Sequence, residues 1–201
     1  GKSTTVCLLN HILKKLKINN SLSGNIGKPV FDLKSYKQSF NILEISSFQL
    51  ELMKRTRLNV AVLLNISKDH IERHGSFEKY IAEKIKIFNN QSENDISIIG
   101  VDDKITSNLA KKLKKKLFSK IITVSGKNNK ADIYIKNKKL TINLNLEKKR
   151  FLKKINIEQF KNFLGEHNYQ NIASRLVILV VPRFTKHHLL GDCPRHLRGS
   201  G

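Results

Sequence analysis

The sequence predicts an α/β fold, with a parallel sheet covered by helices on both faces and followed by a small antiparallel hairpin. Three observations predict it. Apolar strand-like runs alternate with segments of helical spacing through the first 124 residues. One run, residues 58–66 (LNVAVLLNI), is almost continuously apolar, as a strand buried on both faces must be. Beyond Ala131 the apolar period changes to two.

Taken in order, residues 5–16 place Val6, Leu9, Ile12, Leu13 and Leu16 at helical spacing. Residues 40–45 read as a buried strand and 46–54 as the helix that follows it. After the strand at 58–66, residues 77–88 repeat the helical spacing through Tyr80, Ile81, Ile85 and Phe88. Residues 96–101 form a short strand stopped by Asp102 and Asp103, and 105–118 a basic amphipathic helix. Residues 121–124 form another strand. Residues 132–135 and 140–146, joined by the Lys-rich stretch 136–139, alternate as a hairpin does. Residues 1–174 read as one domain. Residues 175–201 read as a foreign or disordered tail: 182–201 hold two of the three Pro and three of the seven His, without periodicity or Lys/Asn bias.

Composition excludes several classes. Hydrophobic residues at 39%, charged residues at 27% and a mean hydropathy of -0.35 describe a soluble globular chain. Its longest apolar stretch, residues 176–181, falls far short of the ~20 residues a membrane helix needs. Two cysteines, Cys7 and Cys193, cannot build a disulfide scaffold, and no CxxC pair offers a structural zinc site. The net charge of +22 raises the question of nucleic acid. The excess is Lys rather than Arg, 30 against 8, and residues 104–154 carry 17 basic side chains against two acids. Clustered Lys without interleaved aromatics reads as a solvated face, so neither a nucleic-acid nor a membrane partner is expected.

Four segments carry chemistry. Gly1-Lys2-Ser3-Thr4-Thr5 at a helix start matches the end of a P-loop. There, backbone N–H groups face phosphates, Lys2 neutralises them and the Ser3 hydroxyl can bind Mg²⁺. A chance GKST tetrapeptide is the other reading. Ser23-Gly24-Asn25-Ile26-Gly27 is either an ordinary turn or one that lets backbone approach a ligand. Glu44 ends a strand, where open α/β sheets bind ligands, and suits either a Mg²⁺ site facing the P-loop or a plain salt bridge. His70 follows the next strand, as a polar loop residue or as a metal or phosphate contact. Lys84, on a helix, does not stand out among 30 lysines.

Together GKSTT, SGNIGKPVFDL, ILEISSFQLE, AVLLNISKDHIERHGSFEKYIAEKIKIF and, at 165–171, GEHNYQN resemble the central ATP-binding domain of the Mur ligase family. The match is dense over residues 1–88, looser through the Lys-rich region, and returns at 165–171. ILEISSFQLE and the GNIG turn favour the D-glutamate-adding branch. The resemblance implies a P-loop-type fold and roles for single residues. Gly1, Lys2, Ser3, Thr4 and Thr5 would hold the ATP phosphates, with Ser3 and Glu44 on one Mg²⁺. His70 would ligate a second Mg²⁺, with Lys84 at the family's carbamylated lysine beside it. Lys2, His70 and Lys84 would be the catalytic set. Asn168 and Asn171 would lie on the adenine side, and Asn25, Ser46 and Ser47 towards the muramoyl substrate.

The implied activity is a cytoplasmic amide ligase of peptidoglycan precursor synthesis. It would join D-glutamate to UDP-N-acetylmuramoyl-L-alanine through an acyl phosphate, as a monomer. Two alternatives stand beside it: another Mur-type or folylpolyglutamate synthase-like ligase, and a basic nucleic-acid-binding P-loop fragment. The resemblance also implies flanking domains, a strand and earlier loop residues before Gly1, so the chain by itself is expected to be inactive.

Overall fold

The computed structural model describes residues 1–29, 40–67, 71–146, 149–157 and 169–180. Helix α1 (Lys2–Lys15) opens it and is followed by strands β1 (Asn20–Gly24) and β2 (Phe40–Glu44). Thr5, Leu9 and Leu13 are buried at successive four-residue steps, one face of the helix. That face packs on Ile42, with Val6, Ile18, Leu22 and Phe40 around it. Lys14 and Lys15 in the last turn complement the helix dipole. Strands β1 and β2 pair in parallel, with Gly24 opposite Glu44.

Helix α2 (Ser47–Leu52) leaves β2 through a capping box in which Ser46 and Gln49 satisfy each other's backbone. Strand β3 (Val60–Leu63), helices α3 (Ile71–His74) and α4 (Phe77–Ile85) and a 3₁₀ turn at Lys86–Phe88 lead to β4 (Ile96–Gly100). Helix α5 (Lys104–Leu113), β5 (Lys120–Ser125), β6 (Ile133–Lys136), β7 (Lys139–Leu146), β8 (Lys149–Asn156) and α6 (Tyr169–Val180) complete the order.

The second sheet runs β3-β4-β5-β6-β7-β8, parallel through β6 and antiparallel from there. All five residues of β4 are buried, as befits a strand with neighbours on both sides and helices on both faces. On one face α6 packs Tyr169 and Ala173 on Ile98, Val124 and Ile133. On the other, α4 and α5 bring Tyr80, Leu109 and Leu113 against Ala61, Leu63 and Ile99. The expected α/β class therefore holds, with the hairpin fused to the parallel sheet as part of a three-stranded meander.

Three local differences have physical reasons. β1 (NSLSG) is too polar to read as a strand; its pairing with β2 and the packing of half-buried Leu22 on the Leu9–Leu13–Ile42 cluster hold it. β8 turns only Phe151 and Ile155 towards the core, and its lysines hide the alternation. On this outermost strand those charges guard against pairing with another chain. Helix α5 stops at Leu113 rather than running to 118, and Phe118 stands 83% exposed. Helix α6 runs across residue 174 to Val180, and residues 181–201, with Cys193, lie outside the described residues.

At the end of the sheet where β3 and β4 begin, Asp95 is 1% exposed and binds Arg57 through Nε at 2.8 Å. Burial pushes the Asp95 carboxyl up, but hydrogen bonds from Arg57, Ser92 and Asn59 outweigh it and hold it below the ordinary 3.8. Among the described residues no helix is long and apolar enough to cross a membrane.

Candidate functional site

The site lies at the other end of the sheets, where the chain leaves β2 and β3. Gly1 sits beside Asn65, just after β3, while Ser3 in the first turn of α1 faces the end of β2. The N-terminus of α1 is thus held between two strand ends, where the N–H groups of its first turn suit an anion.

Glu44 is the centre of this arrangement. Its side chain is almost wholly buried, at 3% exposure. The Ser3 hydroxyl donates to Glu44 Oε1 at 3.2 Å, and Asn25 Nδ2 donates to the same oxygen at 3.3 Å. The Asn25 backbone N–H donates to the Glu44 carbonyl at 2.8 Å, so the turn after β1 is locked to the end of β2. That lock needs Gly24, which has φ +104° and whose missing Cβ would fall 2.3 Å from the Glu44 carbonyl oxygen. Glu44 Oε2 is buried and has no hydrogen-bond partner among the described residues. A buried carboxylate oxygen normally has a donor or a cation. A hard cation with oxygen ligands fits this carboxylate oxygen, with the Ser3 hydroxyl on the same side chain.

Thr5 and Asn171 link α1 to α6. The Thr5 hydroxyl lies 2.8 Å from the Gly1 carbonyl oxygen and 3.4 Å from Asn171 Oδ1, to which it can also donate. Asn171 is buried in the first turn of α6, so of the two residues expected on the adenine side it is Asn171 that meets α1. Next to it Gln170 packs on Gly100 at the end of β4, and its Nε2 also has no partner among the described residues. Nearby, Asp102 accepts from Ser125 Oγ and from the Gly126 N–H, tying the loops after β4 and β5 together.

The expected substrate-side residues divide. The Ser46 hydroxyl donates to Gln49 Oε1 and accepts from the Gln49 N–H, within the capping box. Ser47 Oγ instead lies 3.2 Å from His74 Nε2. Lys84 projects from α4 with its Nζ 4.8 Å from the Tyr80 ring centre, and Tyr80 in turn meets His74. Lys2 and Thr4 are exposed at the head of α1. His70 and Asn168 lie outside the described residues. Among the described residues no three His, Cys, Asp or Glu side chains gather as a metal site. The contacts of His74 were not legible in the sequence: its partners come from α2 and α4, and no local spacing announces them.

A sequence profile of the Mur ligase middle domain matches residues 1–179. The chain belongs to the Mur ligase family. It is 36% identical over 185 residues to the UDP-N-acetylmuramoylalanine--D-glutamate ligase of Clostridioides difficile, covering 90% of this chain and 39% of that relative. The ligase of the same name from Wolbachia pipientis is 45% identical over 112 residues, 56% of this chain and 21% of the relative. This Mur ligase chain therefore spans about two fifths or less of the length of these relatives. Two solved Mur ligases share the fold. The MurF ligase of Thermotoga maritima in complex with ADP superposes with TM-score 0.60 at 23% identity, over 92% of this chain and 44% of that one. A UDP-N-acetylmuramoyl-L-alanyl-D-glutamate--2,6-diaminopimelate ligase gives 0.61 at 22% identity, over all of this chain and 45% of that one.

Proposed function

We propose that this Mur ligase domain carries the ATP-binding site of a ligase that joins D-glutamate to UDP-N-acetylmuramoyl-L-alanine. The observation that carries the reading is Glu44: buried, held at one oxygen by Ser3 and Asn25, and without a partner at the other. It lies beside the N-terminus of the helix that begins GKST. Ser3 and Glu44 would hold Mg²⁺, which when bound draws charge from the phosphate oxygens. The α1 N–H groups and Lys2 orient the ATP phosphates and offset charge on the transferring phosphoryl group. The substrate carboxylate oxygen bonds to the γ-phosphorus and ADP departs, leaving an acyl phosphate. The D-glutamate amine then attacks the acyl carbon, phosphate departs, and the nitrogen loses a proton.

His70 and Lys84, the latter carbamylated, would serve a second Mg²⁺. Asn168 and Asn171 would meet the adenine, and Asn25, Ser46 and Ser47 the muramoyl-alanine. The nucleotide-linked substrates fit a cytoplasmic enzyme, and we take it as a monomer.

The choice of D-glutamate rests on the named relatives, since the solved neighbours below 25% identity speak for the fold alone. The test is phosphate release by the full-length protein carrying this domain, given ATP, Mg²⁺, UDP-N-acetylmuramoyl-L-alanine and single amino acids. Release with D-glutamate, and a product heavier by one glutamyl residue, is expected. Release only with a different amino acid, or only with a longer muramoyl peptide, would overturn the reading in favour of another Mur-type ligase.

A further inference from the structure

Helix α3 is four residues long and buries none of them, so it cannot hold its own position. Two consecutive side chains dock it. Arg73 places its guanidinium carbon 3.9 Å from the centre of the Phe48 ring. His74 stacks on the same ring, 5.5 Å between centres and 8° between planes, and meets Tyr80 of α4 at 5.2 Å. The imidazole is therefore wedged between α2 and α4, and its Nε2 reaches Ser47 Oγ at 3.2 Å. Ser47 is the first residue of α2, three positions beyond Glu44, and is 8% exposed.

The direction of that hydrogen bond has a chemical consequence. If Nε2 is bare, it accepts the Ser47 proton, and the hydroxyl can then only accept from anything else. If Nε2 carries hydrogen, it donates to Ser47 Oγ and leaves the Ser47 proton available to an acceptor. An anionic oxygen accepts only, so it selects the second arrangement. We propose that His74 is a positioning residue, held by the Phe48 and Tyr80 rings so that its Nε2–H directs the Ser47 hydroxyl proton at an anionic oxygen of the acyl substrate. This rests on the proposed ligase reading for the identity of that anion.

Two variants separate the nitrogen from the stack. His74→Phe keeps an aromatic ring between Phe48 and Tyr80 and removes the hydrogen bond. His74→Gln loses the ring and keeps an amide N–H within reach of Ser47. In the full-length ligase, His74→Phe raises KM for UDP-N-acetylmuramoyl-L-alanine about five- to tenfold, the worth of one hydrogen bond, while KM for ATP stays put. Ser47→Ala does the same, the double variant is no worse than either single one, and His74→Gln recovers part of the loss. A purely packing role predicts the reverse order, with Phe tolerated and Gln damaging, and additive effects of the Ser47 change; either result overturns the proposal. The hydrogen bond is read separately, without turnover, from the nitrogen NMR shift of His74 Nε2 in this chain. Ser47→Ala moves that shift if the bond exists, and an unmoved shift refutes it. A wild-type protein with no D-glutamate-dependent turnover refutes the ligase reading instead, whatever the shift does.

Discussion

Replacing Gly24 by Ala places a methyl where the end of β2 already stands. The added carbon falls 2.3 Å from the Glu44 carbonyl oxygen, 3.1 Å from its carbonyl carbon and 3.2 Å from its nitrogen. All three are backbone atoms, so no side chain can swing aside; β1 must move from β2. The residue also sits at φ +104°, where an L side chain is strained by about 1–2 kcal/mol. Forcing a methyl into filled space adds about 1–3 kcal/mol, giving about 3 kcal/mol in all. Gly75→Ala is the control. That glycine has φ +77°, but its nearest neighbour is the flexible Lys79 Nζ at 3.9 Å, so only the strain applies, about 1 kcal/mol. Denaturant unfolding of the two variants against wild type reads the difference directly. The displaced turn also carries Asn25 away from Glu44, so nucleotide binding in the presence of Mg²⁺ weakens with Gly24→Ala and not with Gly75→Ala. If Gly24→Ala unfolds no more readily than Gly75→Ala, the close approach of β1 to Glu44 is wrong.

The other expectations concern charge. Asp95 is held below its ordinary value in the folded chain, so its contribution is present above 3.8 and drains away as pH falls through the lower folded value. Unfolding midpoints followed from about pH 6 to about pH 2 should fall less steeply below about pH 4 in Asp95→Asn than in wild type, and equal slopes would contradict the assignment. Lys84→Ala in the full-length ligase should lose activity and recover part of it with chloride or formate, if a carbamylated Lys84 supplies a negative charge. Recovery with small amines instead would show that the cation itself is needed.

Which parts of the fold were legible follows from where each segment buries its side chains. β3 and β4 announce themselves because both faces are covered, so nearly every position is apolar. Helix α1 is legible because Leu9 and Leu13 share one buried face. β1 and β8 are not, since one is held by its partner strand and the other lies outermost with lysines along it. The lysine run after α5 extends the apparent helical pattern to Phe118, whose exposure shows that this apolar position faces no core. In the site, Ser3 and Glu44 could be paired from motifs alone, because a helix start and a strand end of this type meet by topology. The Ser47–His74 contact could not, because it depends on two rings contributed by other helices.

Glu44 and Ser3 are proposed as the magnesium face of the phosphate site. Calorimetric titration of ATP into this chain, with and without Mg²⁺, for wild type and Glu44→Gln, tests it most directly. Gln keeps the shape and can still accept from Ser3 and Asn25 through its carbonyl, but it removes the buried negative charge. Mg²⁺ should strengthen ATP binding to wild type by about tenfold or more, and most of this gain should disappear in Glu44→Gln while metal-free binding is no weaker than in wild type. A Glu44→Gln chain in which Mg²⁺ strengthens ATP binding as much as in wild type would contradict it.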